Sequence, residues 1–205
     1  MASHTSLAVV TTVATVFGPA LTFQVRAGAD KVAFPDNYAT GVMYLSLDKP
    51  ESKQVHQVYA MPEAVAAARQ DQPMPSGMVF TVVRYSAQLD AQGNPIKGAD
   101  GQFVKGELLG YAVMEKRTGW GSEYPDTLRN GEWEYRAFTA EKKPNENVKL
   151  TACFECHKPT ENHDFVYSYD KLKSVGQARP HAGAAETPGG EGYTHNNHTR
   201  GGNHV

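Results

Sequence analysis

Met78-Val79-Phe80-Thr81-Val82-Val83-Arg84-Tyr85 is the stretch whose reading decides the fold class. It is dominated by β-branched and aromatic residues, which suit a pleated, half-buried surface, and Pro75-Ser76-Gly77 punctuates the chain before it, so it reads as a strand. Alternation places Met78, Phe80, Val82 and Arg84 on one face and Val79, Thr81 and Val83 on the other. Leu108-Leu109-Gly110-Tyr111-Ala112-Val113-Met114-Glu115 has the same character and is its expected antiparallel partner. Residues 90–106 between them carry Gly93-Asn94-Pro95 and Gly98-Ala99-Asp100-Gly101, turn chemistry without periodicity, and read as a hairpin excursion.

Working outward, 41–47 and 54–60 read as two further strands, and Trp133-Glu134-Tyr135-Arg136-Ala137-Phe138 as a fifth, after the Gly119-Trp120-Gly121 turn region. Pro62 opens a short helix over Glu63–Arg69, where its missing N–H does no harm. These elements predict an α+β fold: an antiparallel sheet of about five strands packed with a few short helices. At 205 residues and 40% hydrophobic, the chain suits one domain plus tails, with no internal repeat. A formal net charge of -2 gives nucleic-acid binding no electrostatic support.

Cys153-Phe154-Glu155-Cys156-His157 holds the only two cysteines of the chain. Cys-x-x-Cys-His is the attachment signature of a c-type haem. Two thiols three apart lie on one side of a helix, where they can add to the two vinyl groups of a porphyrin, and the adjoining imidazole reaches the iron. Three other readings compete. A thioredoxin-like dithiol would open a helix after a parallel strand, which the flanks Asn147–Leu150 and Lys158-Pro159 do not suggest. A zinc site has only Cys153, Cys156 and His163 to offer and lacks a fourth ligand. A disulfide between these positions closes almost no loop and stabilises little. One covalent haem c, held by Cys153 and Cys156 with His157 as axial iron ligand near the C-terminal end of the domain, is the expectation.

Residues 1–29 read as a signal peptide: an apolar run from Leu7 through Phe17, then Ala20-Leu21-Thr22-Phe23, ending at Ala27-Gly28-Ala29, with cleavage expected after Ala29. His4 precedes the run without Lys or Arg, and Pro19 falls late in it, so a retained membrane anchor is the alternative. Export to the periplasm or outside the cell agrees with haem c. Residues 30–175 form the expected domain. Residues 176–205, rich in Gly, Ala, Pro, Asn and His, cannot build a core and read as a disordered tail. Its His181, His195, His198 and His204 are a weaker candidate for loose metal binding.

The order of several segments resembles the cytochrome P-460 family, which includes the cytochromes c-prime-beta. They are Phe34-Pro35-Asp36-Asn37-Tyr38, Val58-Tyr59-Ala60-Met61-Pro62-Glu63, Pro75-Ser76-Gly77-Met78-Val79, Gly119-Trp120-Gly121, the haem motif with Lys158, and Asp164-Phe165-Val166-Tyr167. The resemblance spans about Phe34 to Lys173. It implies an antiparallel sheet laid over the distal haem face, a homodimer, and binding of nitric oxide or oxidation of hydroxylamine. Hydroxylamine-oxidising members bond a strand lysine to the porphyrin edge. The matching position here is approximately Val82, which cannot form that bond, and the Arg84 guanidinium two residues on is no substitute.

No methionine follows His157. A sixth ligand would have to come from Met43, Met61, Met74, Met78, Met114 or His56, each of which first reads as an ordinary sheet side chain. The expected site is therefore five-coordinate and open, with Phe80, Val82 and Arg84 in the distal pocket. Its ligand would be nitric oxide or a similar small nitrogen species. The alternatives are a hydroxylamine- or nitric-oxide-oxidising enzyme without the cross-link, and a six-coordinate electron carrier with a redox partner protein. No catalytic base is assigned: Glu115, Glu132 and Glu134 read equally well as water-facing. Trp120, Tyr124, Trp133, Tyr135 and Phe138 read as sheet core.

Overall fold

The computed structural model describes residues 28–177; the expected leader and the tail histidines lie almost wholly outside them. Five strands form one antiparallel sheet in chain order: β1 (Val42–Lys49), β2 (Gln54–Ala60), β3 (Val79–Ala87), β4 (Lys105–Lys116) and β5 (Trp133–Phe138). Three short helices accompany it: α1 (Pro62–Arg69), α2 (Thr151–His157) and α3 (Tyr169–Lys173). No described helix is long and apolar enough to cross a membrane. The α+β class read from the sequence is the observed one.

Each strand follows its neighbour, so every connection is local. β3 and β4 extend beyond the expected segments. The excursion between them is pinned back by Asp48, whose carboxylate accepts from the Phe103 backbone N–H at 3.0 Å. Opposite Arg84 in the β3–β4 ladder stands Gly110 at φ +137°. A β-carbon there would lie 2.4 Å from the Phe138 carbonyl oxygen, so the close approach of β5 requires glycine.

The two sheet faces bury different cores. Ala60, Met78, Phe80, Met114, Trp133 and Tyr135 join Ala64, Val65 and Ala68 of α1, Phe154 of α2, and Tyr169 and Leu172 of α3 in the larger one. On the reverse, Val83, Tyr111, Val113 and Phe138 pack with Val32, flanked by Phe34, Tyr38, Tyr59, Val79 and Tyr85. The alternation expected of β3 is thus observed. Burial of the aromatic and aliphatic side chains, each contributing about 1.5–3 kcal/mol, holds the helices to one face.

Candidate functional site

The haem-type motif occupies α2, as expected. Leu150, at its N-cap, makes no side-chain cap, so this seven-residue helix is held mainly by packing. Its anchor is Phe154, the residue after Cys153: buried, its ring centroid stands 4.7 Å from both Tyr124 and Tyr135. Asn130, wholly buried, donates through Nδ2 to the Phe154 carbonyl and the Tyr135 hydroxyl, both at 3.0 Å. Phe154, the second residue of the motif, faces the core, leaving Cys153 half-buried and Cys156 exposed.

His157 is oriented from behind. Its Nδ1 lies 2.7 Å from the Phe165 carbonyl oxygen. A carbonyl only accepts, so Nδ1 carries the hydrogen and Nε2 presents its lone pair, the form that ligates a metal. Burial lowers the His157 pKa and favours this neutral imidazole. The carbonyl itself is fixed by two successive left-handed residues, Asp164 (φ 50°) and Phe165 (φ 60°). Such non-glycine geometry costs on the order of 1 kcal/mol per residue and persists where neighbours hold it. Here the Asp164 carboxylate accepts from the Met74 N–H at 2.7 Å and from Lys116 Nζ at 2.9 Å, while Trp133 Nε1 donates to the Asp164 carbonyl at 2.8 Å. In the sequence Asp164-Phe165 stands out only as part of a family segment, and this role is not visible there. Its signal was a polar-aromatic pair closely following the histidine.

Both cysteines are free thiols. Burial above all, then the neighbouring Cys156, pushes the Cys153 thiol up to about 11, with the Arg84 charge acting weakly in the opposite sense. A reactive thiol needs the reverse, so the burial of Cys153 works against the thioredoxin-like reading. His163, the third candidate zinc ligand, stacks its ring on Tyr169 at 4.9 Å and 15°.

The sheet face beside α2 changes size along the strands. One cross-strand row runs Ala60, Phe80, Met114, Tyr135 and lies in the core. The next row on that face is Val58, Val82, Ala112, Ala137, all short side chains and none in either core cluster. Beyond it come His56, Arg84 and Gly110. Of the three expected pocket residues, Phe80 is taken into the core against Trp133 and Tyr44, whereas Val82 and Arg84 are half-buried. Arg84 Nε is buried with no hydrogen-bond partner. An unpaired buried donor costs about 1–3 kcal/mol, so this atom asks for an acceptor. Burial, with the charges of Lys49 and Arg84, lowers the pKa of His56 to about 4, so it is neutral near pH 7 and donates through Nε2 to Gln54 Oε1 at 2.9 Å.

The carboxylates differ from expectation. Glu115 and Glu134 are buried, on the face opposite Met114 and Tyr135, because Arg117 Nε donates to Glu115 at 2.6 Å and the Tyr124 hydroxyl donates to Glu134 at 2.7 Å. Neither stands on the face that carries Val82 and Arg84. Of the methionines, Met74, Met78 and Met114 are core side chains and Met43 is exposed on the edge strand. Trp133, Tyr135, Tyr124 and Phe138 are buried as expected, and Trp120 packs partly buried on the second core.

A haem fits these residues on three counts: two free thiols on one short helix, an imidazole whose Nε2 is free by hydrogen bonding, and an orphaned cationic donor near Cys153 that suits a propionate. No curated protein matches the chain. A family model, Cytochrome P460, matches residues 35–168, about two thirds of the sequence and the whole sheet with α2. The chain therefore belongs to the cytochrome P460 family, a family of haem proteins.

Proposed function

We propose that this is an exported mono-haem c cytochrome that binds nitric oxide or a similar small nitrogen species at an open distal site. Cys153 and Cys156 would form the two thioether bonds, and His157 Nε2 would ligate the iron. The observation that carries the reading is the His157 Nδ1 bond to Phe165, which presets the ligating tautomer before any metal is bound. The haem supplies an iron that binds a diatomic ligand and exchanges one electron.

The chain's own residues do the rest. The Asp164–Lys116 pin fixes the carbonyl that steers His157. Val58, Val82, Ala112 and Ala137 keep the adjoining row short and apolar, which favours a neutral ligand over a charged one. Arg84 offers its unpaired Nε to a propionate or to the bound ligand. Valine at 82 leaves no amine for a porphyrin bond, so the cross-linked hydroxylamine chemistry of the family is not expected. Pairing into a homodimer and electron exchange with a partner protein belong to the same proposal.

The test is denaturing mass spectrometry of exported protein. One haem should add to the chain mass, with the peptide around Val82 unmodified. Cys153→Ser together with Cys156→Ser should abolish the covalent adduct; a haem-stained band that survives denaturation in that variant would sink the assignment. Turnover of hydroxylamine with an electron acceptor would replace the binding role with the enzymatic one.

A further inference from the structure

Glu134 has no part in the proposed haem site, yet it is the one charged side chain among the described residues with no exposed surface. Oε2 accepts from the Tyr124 hydroxyl at 2.7 Å, while Oε1 is buried without a partner. A half-satisfied buried carboxylate is unfavourable and demands a cation or a proton. Burial raises its pKa to about 7. The groups around it do not supply the cation. The Lys31 charge favours the ionised form of Glu134, but its ammonium is bonded to Glu123, which repels Glu134, and Glu115, across the ladder, is paired with Arg117.

What lies against the carboxylate is Gly28. It sits at φ +88°, and a β-carbon on it would stand 2.1 Å from Oε1 and 2.5 Å from Oε2, so only glycine fits. The next residues are part of the packed domain. Ala29 and Val32 are buried, and Arg136 donates to the Val32 carbonyl at 3.1 Å and to the Asp30 carboxylate at 3.2 Å. Cleavage after Ala29, the expectation from the small-x-small pattern, would discard two residues that the domain uses.

We propose that the leader is removed between Ala27 and Gly28, and that the α-ammonium group released on Gly28 is the missing partner of Glu134 Oε1. The inference rests on the export reading. The step is hydrolysis by a leader-removing endopeptidase: water adds across the peptide bond, Ala27 leaves as the carboxylate end of the leader, and the Gly28 nitrogen is protonated. Ala27 at the last leader position and Val25 two before it satisfy the requirement for short side chains. The Gly28 peptide N–H makes no hydrogen bond to Oε1, whereas an ammonium has three rotatable donors. Tyr124, which holds the other oxygen, also packs its ring against Phe154, so the pair would close the packing behind the helix that bears both cysteines.

Two experiments test this on exported holoprotein. N-terminal sequencing with intact mass should begin at Gly28. A start at Asp30 overturns the proposal while export stands; a start at Met1 or Ala2 removes both. The second compares Glu134→Gln in the Gly28-initiated protein and in a version initiated at Asp30. The substitution should lower Tm by roughly 5–10 °C in the first and leave the second unchanged or raised. Equal shifts in the two backgrounds overturn the pairing. The sign with pH agrees: a carboxyl raised from 4.5 to about 7 makes the chain with Gly28 still in its peptide bond to Ala27 lose stability as pH rises through that window. The Gly28-initiated form should not.

Discussion

The two faces of the sheet are made by the same strands and do different work. The face of Val83, Tyr111, Val113 and Phe138 is closed by rings set edge to face, Phe34 against Tyr111 at 4.8 Å and against Phe138 at 5.3 Å. The other face packs its large row on the helices, then falls to Val58, Val82, Ala112 and Ala137 and to an arginine whose Nε has no acceptor. The first face is closed by its own side chains except at Glu134 Oε1. The other leaves an unpaired cationic donor beyond a row of short side chains, and the motif helix stands beside it.

That contrast can be broken by substitution. Phe138→Ala, on the closed face, should cost about 3–5 kcal/mol in denaturant unfolding while leaving the optical spectrum of the holoprotein unchanged. A spectral change would mean that the faces are not separate. Asp164→Asn keeps the left-handed backbone, which asparagine tolerates, and removes the charge facing Lys116. It should cost about 2 kcal/mol and also shift the reduction potential, because the carbonyl that orients His157 loses its pin. Stability loss with an unmoved potential would reduce Asp164 to a structural role.

Val82→Phe sharpens the comparison from the open side. Filling the short row should change apoprotein stability by less than about 1.5 kcal/mol yet cut haem retention or carbon monoxide affinity at least tenfold. A large loss of apoprotein stability with normal ligand binding would place Val82 in the core instead. The smallest effect concerns His56. Its folded pKa is depressed from 6.5 to about 4, so stability should be full above pH 6.5 and decline as pH falls towards 4. His56→Gln should flatten that part of a Tm–pH profile; an unaltered slope would assign the acid sensitivity elsewhere.

Much of this was legible in the chain. The β3 alternation, the helix opened by Pro62, the fifth strand and the motif helix all follow from local patterning, which short antiparallel connections preserve. The carboxylates were not legible. Glu115 and Glu134 look water-facing because period two says only which face a side chain takes, and their covers, Arg117 and Tyr124, come from segments with no periodicity. Phe80 shared a face with Val82 and Arg84, as read, but its neighbours across the sheet and on the helices, which sequence spacing does not reveal, drew it into the core. The Asp164–Phe165 turn escaped notice for the same reason: its partners Met74, Lys116 and Trp133 are remote in sequence.

The most direct measurement is the visible spectrum of the reduced holoprotein before and after carbon monoxide. A row of short apolar side chains beside a single fixed imidazole should give a five-coordinate ferrous haem whose spectrum shifts on addition of the gas. A low-spin six-coordinate spectrum that ignores carbon monoxide would contradict the open site and make the protein an electron carrier.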